Sequence, residues 1–317
     1  MVRRPAGRAG ATAEQTRLIM TRSVADPLLI QQASAVIELV LNRPDKANAL
    51  DAGLVEALLV AVARAANSGA RLLTLRGEGR HFCAGFDFSD LDQQSDGDLL
   101  HRFVRIEQLL QALHHAPLTT LALCHGSALG AGADLVAACD CRIAAPATRF
   151  RMPGLRFGIV LGTRRFTALV GADAAHEIVA TSRSFEEAEA ERLGFVQRLA
   201  EPGAWPEIVR GIVDAQRLDG AATVRLKARV KPDMRASDMA DWWTLLPRRD
   251  SRIGSAPSDP RRTNYVCART VPNEIPRPAR VAKPAIVSMD STMRNDRLVR
   301  CGGGDRRRGK RCCASPA

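Results

Sequence analysis

The run that most restricts what this chain can fold into spans Leu118 to Asp140. An apolar stretch, Leu118 to Cys124, leads into His125-Gly126-Ser127-Ala128-Leu129-Gly130-Ala131-Gly132-Ala133-Asp134, and a helix-like pattern continues to Asp140. The pattern predicts a buried strand that turns through glycines into a helix. Glycine lets the backbone bend sharply and lets another group come close. The first turn of the helix presents N–H groups without intrahelical partners and a partial positive charge. Such a junction suits an oxygen that gains negative charge. It equally suits a tight strand–helix corner that binds nothing.

A second glycine-marked turn, Gly79-Arg80-His81-Phe82-Cys83-Ala84-Gly85-Phe86-Asp87, follows another apolar run, Leu72 to Leu75. Two such turns can aim two N–H donors at one oxygen. HFCAGFD at 81–87 and HGSALGAGADLVAACD at 125–140 resemble the paired oxyanion-hole segments of the crotonase superfamily, the enoyl-CoA hydratase/isomerase family. LNRPDKANAL at 41–50 resembles that family's N-terminal signature, and the three segments stand in the family's order. The likeness runs from about Pro27 to Pro232.

The resemblance implies an α/β fold, a crotonase-like spiral of ββα repeats with helices after it. It implies an acyl-CoA substrate and no prosthetic group. It places the two donors on Phe86 and Ala131, which would stabilise a thioester enolate. Asp134 falls where hydratases of the family carry one of two catalytic glutamates. Asp134 lies three residues after Ala131, and i and i+3 share a helix face. The helix N-terminus is expected to hold this carboxylate ionised. The second glutamate position is Gly154, and Cys141 to Ala172 contain six arginines and no Asp or Glu. Hydration by two carboxylates needs one group to activate water and another to deliver a proton. Thioester hydrolysis, decarboxylation and acyl-CoA binding without turnover therefore stand as alternatives. By family position, Lys46, Ala47, Asn48 and Ala84 would bind coenzyme A, largely through backbone. His81 and His125 read as groups that orient backbone or fill space, and Arg164 and Arg165 as helix-start residues with a surface or phosphate role. The resemblance also implies a homo-oligomer, a trimer or a hexamer.

The net charge of +12 suggests a polyanion partner until it is located. Residues 247–317 hold seventeen Lys and Arg against six Asp and Glu, which leaves the rest of the chain near neutrality. The charge lies outside the recognisable domain, and only Tyr265 interrupts it with an aromatic ring, which argues against nucleic-acid binding. The expected organisation is a disordered extension at 1–26, a crotonase-like acyl-CoA-binding domain at 27–240 and a basic, Pro- and Arg-rich disordered tail at 241–317. Met20 is an alternative start. Eight cysteines without ligand-like spacing predict no metal site and fit a reducing cytoplasm. No apolar run reaches the length of a membrane span.

Within the domain, strands are expected at 35–41, 72–75, 118–124, 141–144 and 150–152, with a polar mobile loop at 88–98. Helices are expected from Asp51 to Gly69, over 99–113, within 163–199, and over 205–217 and 221–230.

Overall fold

A computed structural model describes residues 26–159, 162–231 and 233–245. The expected extension before Asp26 and all of the tail beyond Leu245 lie outside the described residues.

The chain opens with a hairpin. Strands β1 (Leu28–Ala33) and β2 (Val36–Leu41) pair antiparallel, with Ser34 at φ 48° in the turn. Helix α1 (Ala52–Ala66) starts where the Asp51 side chain accepts from the Leu54 N–H at 2.8 Å, a side-chain N-cap. Leu54, Val55, Leu58, Ala61, Val62 and Ala65 face inward at helical spacing. Strand β3 (Leu72–Gly77) follows, and then helix α2 (Asp96–His114). The expected loop at 88–98 is cut short, because Ser95 and Asp98 form a reciprocal capping box that starts α2 at Asp96.

Next come β4 (Thr119–Cys124), β5 (Ser127–Leu129), α3 (Ala131–Ala138), β6 (Cys141–Ala144) and β7 (Arg149–Arg151). The stretch expected to be helical between 163 and 199 holds three helices and two short strands. These are α4 (Thr163–Val170), α5 (Ala172–Thr181), β8 (Ser184–Glu186), α6 (Glu187–Arg192) and β9 (Arg198–Leu199). Helices α7 (Trp205–Ala215), α8 (Gly220–Val230) and α9 (Arg235–Leu245) complete the described chain. Helix α9 continues past residue 240, the boundary read from the sequence.

The main sheet has the order β1-β2-β3-β4-β6-β9 and is parallel except at the β1–β2 hairpin. A second sheet has the order β5-β7-β8. The central strands are apolar on both faces because both faces are covered. On β4, Ala122 and Cys124 join the large core with α1, α2 and α3. Leu121 and Leu123 point to the opposite face and pack with Trp205, Ile208 and Val213 of α7. Phe150, Phe166, Phe185 and Phe195 form a cluster that ties the second sheet to α4, with ring centroids 5.0 to 5.8 Å apart.

Helix α8 is anchored by charge rather than by its apolar residues. Lys227 is buried, donates to the carbonyls of Ala116 (2.8 Å) and Leu118 (2.9 Å), and pairs with Asp140 at 2.7 Å. Lys231 reaches the other Asp140 oxygen at 2.6 Å. Burial opposes the charge on Asp140, but the two ammonium groups prevail and hold its carboxyl below the usual range. No described helix is long and apolar enough to cross a membrane.

Candidate active site

Three loops meet beyond the carboxyl ends of β2, β3 and β4, where open parallel sheets commonly bind ligands. Main-chain hydrogen bonds hold them in register. Ala84 N–H donates to Ala47 O (2.9 Å), Leu50 N–H to Gly85 O (2.7 Å), and Asp87 N–H to Leu50 O (3.1 Å). Phe82 N–H donates to His125 O (3.0 Å), Cys83 N–H to Ser127 O (3.1 Å), and Leu129 N–H to Cys83 O (2.9 Å). The turn at 79–87 is thereby fastened to the signature loop on one side and to the turn at 125–132 on the other.

Two glycines make this approach possible. A Cβ on Gly132 would lie 2.4 Å from the Cys83 carbonyl oxygen. A Cβ on Gly85, whose φ is +89°, would lie 2.4 Å from the Leu129 oxygen and 3.2 Å from the Ala131 nitrogen. The turn that carries Phe86 and the start of α3 are therefore in contact.

Leu50 bonds to the residues on either side of Phe86, so the Phe86 N–H points away from Leu50 in this parallel bridge. It has no acceptor among the described residues. Ala131 is the first residue of α3, its N–H has no intrahelical partner, and the Gly130 cap supplies none.

Asp134 lies on the same helix and is buried, and its Oδ1 has no hydrogen-bond partner among the described residues. A Cβ on Gly162 would fall 1.9 Å from that oxygen. The expectation that the helix N-terminus keeps Asp134 ionised is overturned. Burial pushes its carboxyl well above the usual range; Arg165 opposes the shift and Glu107 adds to it.

A raised folded-state pKa gives stability that is complete below the unfolded value, about 3.9, and is lost as pH rises through the folded value. Asp134→Asn should therefore gain stability over the parent as pH rises from 4 to 8. Urea midpoints across that range check it, and a pH-independent difference between the two proteins rules it out.

Glu107 is a carboxylate that local sequence reasoning did not bring to this region. It sits on α2, fully buried, and its oxygens accept from both Arg165 guanidinium nitrogens at 2.6 and 3.2 Å. Arg165 is buried as well, which corrects its reading as a surface or phosphate group. It also meets Asp238 of α9 at 2.9 Å, and Arg164 pairs with the same carboxylate at 3.0 Å.

Gly154 begins a short 3-10 turn, and a Cβ there would lie 2.7 Å from the Ile159 carbonyl oxygen. The position has no room for a side chain without backbone movement. Asn48 is fully buried, and its side chain is spent on Arg43 N–H (2.9 Å), Glu78 O (2.9 Å) and His81 O (2.8 Å). Lys46 is exposed at the end of the short 3-10 turn within the signature loop, beside Ala47. His125 Nε2 donates to Gly79 O at 3.0 Å, which links the two turns as a backbone-orienting group would.

A mixed parallel sheet with two facing glycine turns at its strand ends, followed by packed helices, defines an α/β protein of the crotonase fold. A crystal structure of a Bordetella parapertussis protein named as an enoyl-CoA hydratase/isomerase is similar, with 46% sequence identity and a TM-score of 0.69, covering 70% of this chain and 94% of that one. The mycobacterial protein named "Probable enoyl-CoA hydratase echA6" (Mycobacterium bovis) is 34% identical over 188 residues, 57% of this chain and 75% of the relative. A peroxisomal Delta(3,5)-Delta(2,4)-dienoyl-CoA isomerase of Arabidopsis thaliana is 30% identical over 195 residues, 56% of this chain and 69% of that protein. The enoyl-CoA hydratase/isomerase family model matches residues 31–203, and the chain belongs to that family. The relatives' names span more than one reaction, so membership alone leaves the reaction open.

Proposed function

We infer that this chain is an acyl-CoA-processing enzyme in which the N–H groups of Phe86 and Ala131 stabilise a thioester enolate. The observation that carries this reading is the contact between the two turns. Each presents an N–H without a partner among the described residues, and the turns come close enough that a Cβ on Gly85, next to Phe86, would lie 3.2 Å from the Ala131 nitrogen. Fixed donors aimed at developing charge commonly supply most of the rate enhancement in such reactions.

Asp134 supports a proton-donating role, because burial favours its neutral form. The crowded Gly154 supports chemistry that does not depend on two carboxylates. Thioester hydrolysis, decarboxylation or simple acyl-CoA retention therefore compete with hydration. The coenzyme would lie along Lys46, Ala47, Asn48 and Ala84. Asn48 acts there as a loop brace, and the exposed Lys46 is free to meet phosphate. Exposed Leu226 and Val230, one turn apart on α8, support a homo-oligomer.

Calorimetric titration with crotonyl-CoA and acetyl-CoA tests the class, and enoyl absorbance and free-thiol release then separate the reactions. Binding of at least one thioester is expected. No heat with any acyl-CoA would overturn the reading.

A further inference from the structure

Phe86 belongs to no helix or regular strand, only to an isolated bridge, yet an oxyanion donor must be held to within a fraction of an ångström. Two guanidinium groups grip the residue that follows it. Arg43 Nη1 donates to the Asp87 carboxylate at 2.9 Å and to the Ala49 carbonyl, and its Nη2 pairs with Asp51, the α1 cap, at 3.1 Å. Arg102, on α2, donates from Nη2 to the Asp87 carbonyl at 2.9 Å and to the Leu50 carbonyl at 3.3 Å. Its guanidinium carbon sits 4.0 Å from the centre of the Phe86 ring, which also packs on Phe103 with centroids 4.7 Å apart. Asp87 is thus held by its side chain from one arginine and by its main chain from the other. Arg102 also covers the side chain of the donor residue itself.

We propose that Arg102 and Arg43 are positioning residues that fix the direction of the Phe86 N–H through Asp87. The proposal rests on the acyl-thioester reading above. Arginine suits the task because its planar fork can bridge two carbonyls and stack on a ring at once, which an ammonium cannot. Neither arginine needs to touch the substrate.

Cinnamoyl-CoA is the probe, because the absorption of its conjugated thioester moves to the red when hydrogen bonds polarise the carbonyl. Wild type is expected to bind it with a red shift. Arg102→Met should bind it with similar affinity and lose more than half of that shift. For any thioester that wild type turns over, kcat should fall about 10- to 100-fold with little change in KM. Arg102→Lys keeps the charge and the stem but not the fork, so it should recover only part of the shift. It carries the same comparison should Arg102→Met not fold, with Arg43→Lys as a second, independent disruption.

Full retention of shift and kcat in the folded variants overturns the positioning role while leaving the oxyanion hole standing. Binding of the probe by wild type without a red shift overturns the hole itself and this proposal with it.

Discussion

Ala131→Pro is expected to lower kcat by about 100- to 1000-fold, an effect of about 2.7–4 kcal/mol, while leaving the protein folded. Ala131 is the first residue of α3, where a proline is well accommodated because the N–H there makes no intrahelical bond. Gly130 before it adopts φ 51° and ψ −123°, away from the helical region that a following proline disfavours. The substitution therefore deletes one main-chain donor and little else. Ala131→Ser is the control: it keeps the N–H and should keep the rate. Turnover of a thioester that wild type processes, with circular dichroism to confirm the fold, decides the matter. A folded proline variant with unchanged kcat would show that the turn only packs.

The two glycine turns were legible because their signal is local. The glycines that close approach requires stand within the turns themselves, Gly85 against Leu129 and Gly132 against Cys83. What was not legible depends on distance along the chain. Arg165 and Glu107 are 58 residues apart, and no periodicity links them. Helical spacing placed Lys227 correctly on a helix, yet nothing local announces that it is buried on Asp140. Asp134 shows a local rule losing to a global one. The helix N-terminus favours its charge, but removal from water costs more than that and Arg165 together return, and its Oδ1 has no hydrogen-bond partner among the described residues. The β1–β2 hairpin escaped because its turn, Ser34-Ala35, lacks the glycine or asparagine that usually marks one. The start of α2 is a different matter. Ser95 and Asp98 have capping-box spacing, and the acidic run around them concealed a signal the sequence contains.

Arg165→Met should destabilise the protein by about 3–5 kcal/mol, the range for removing one partner of a buried ion pair. Both side chains are almost fully enclosed, at 2% exposure for Arg165 and 1% for Glu107. Among the described residues the variant leaves Glu107 with a hydrogen bond from Gln111 at 2.9 Å but no cation, and leaves Asp238 with Arg164 alone. The loss therefore comes mainly from a stranded carboxylate, not from the attraction itself. That distinction is measurable. Arg165→Met combined with Glu107→Leu removes the stranded charge and should recover most of the lost stability, because an apolar pair of similar volume often serves as well as a buried salt bridge. Asp134 reports on the same change from a second direction. Arg165 is the cation that restrains its upward shift, so without it the carboxyl should stay neutral to still higher pH. Urea unfolding of the single and double variants separates the two accounts. A single variant that costs less than about 1 kcal/mol, the worth of an exposed pair, would mean that water reaches Glu107 in solution and that the cluster is not sealed.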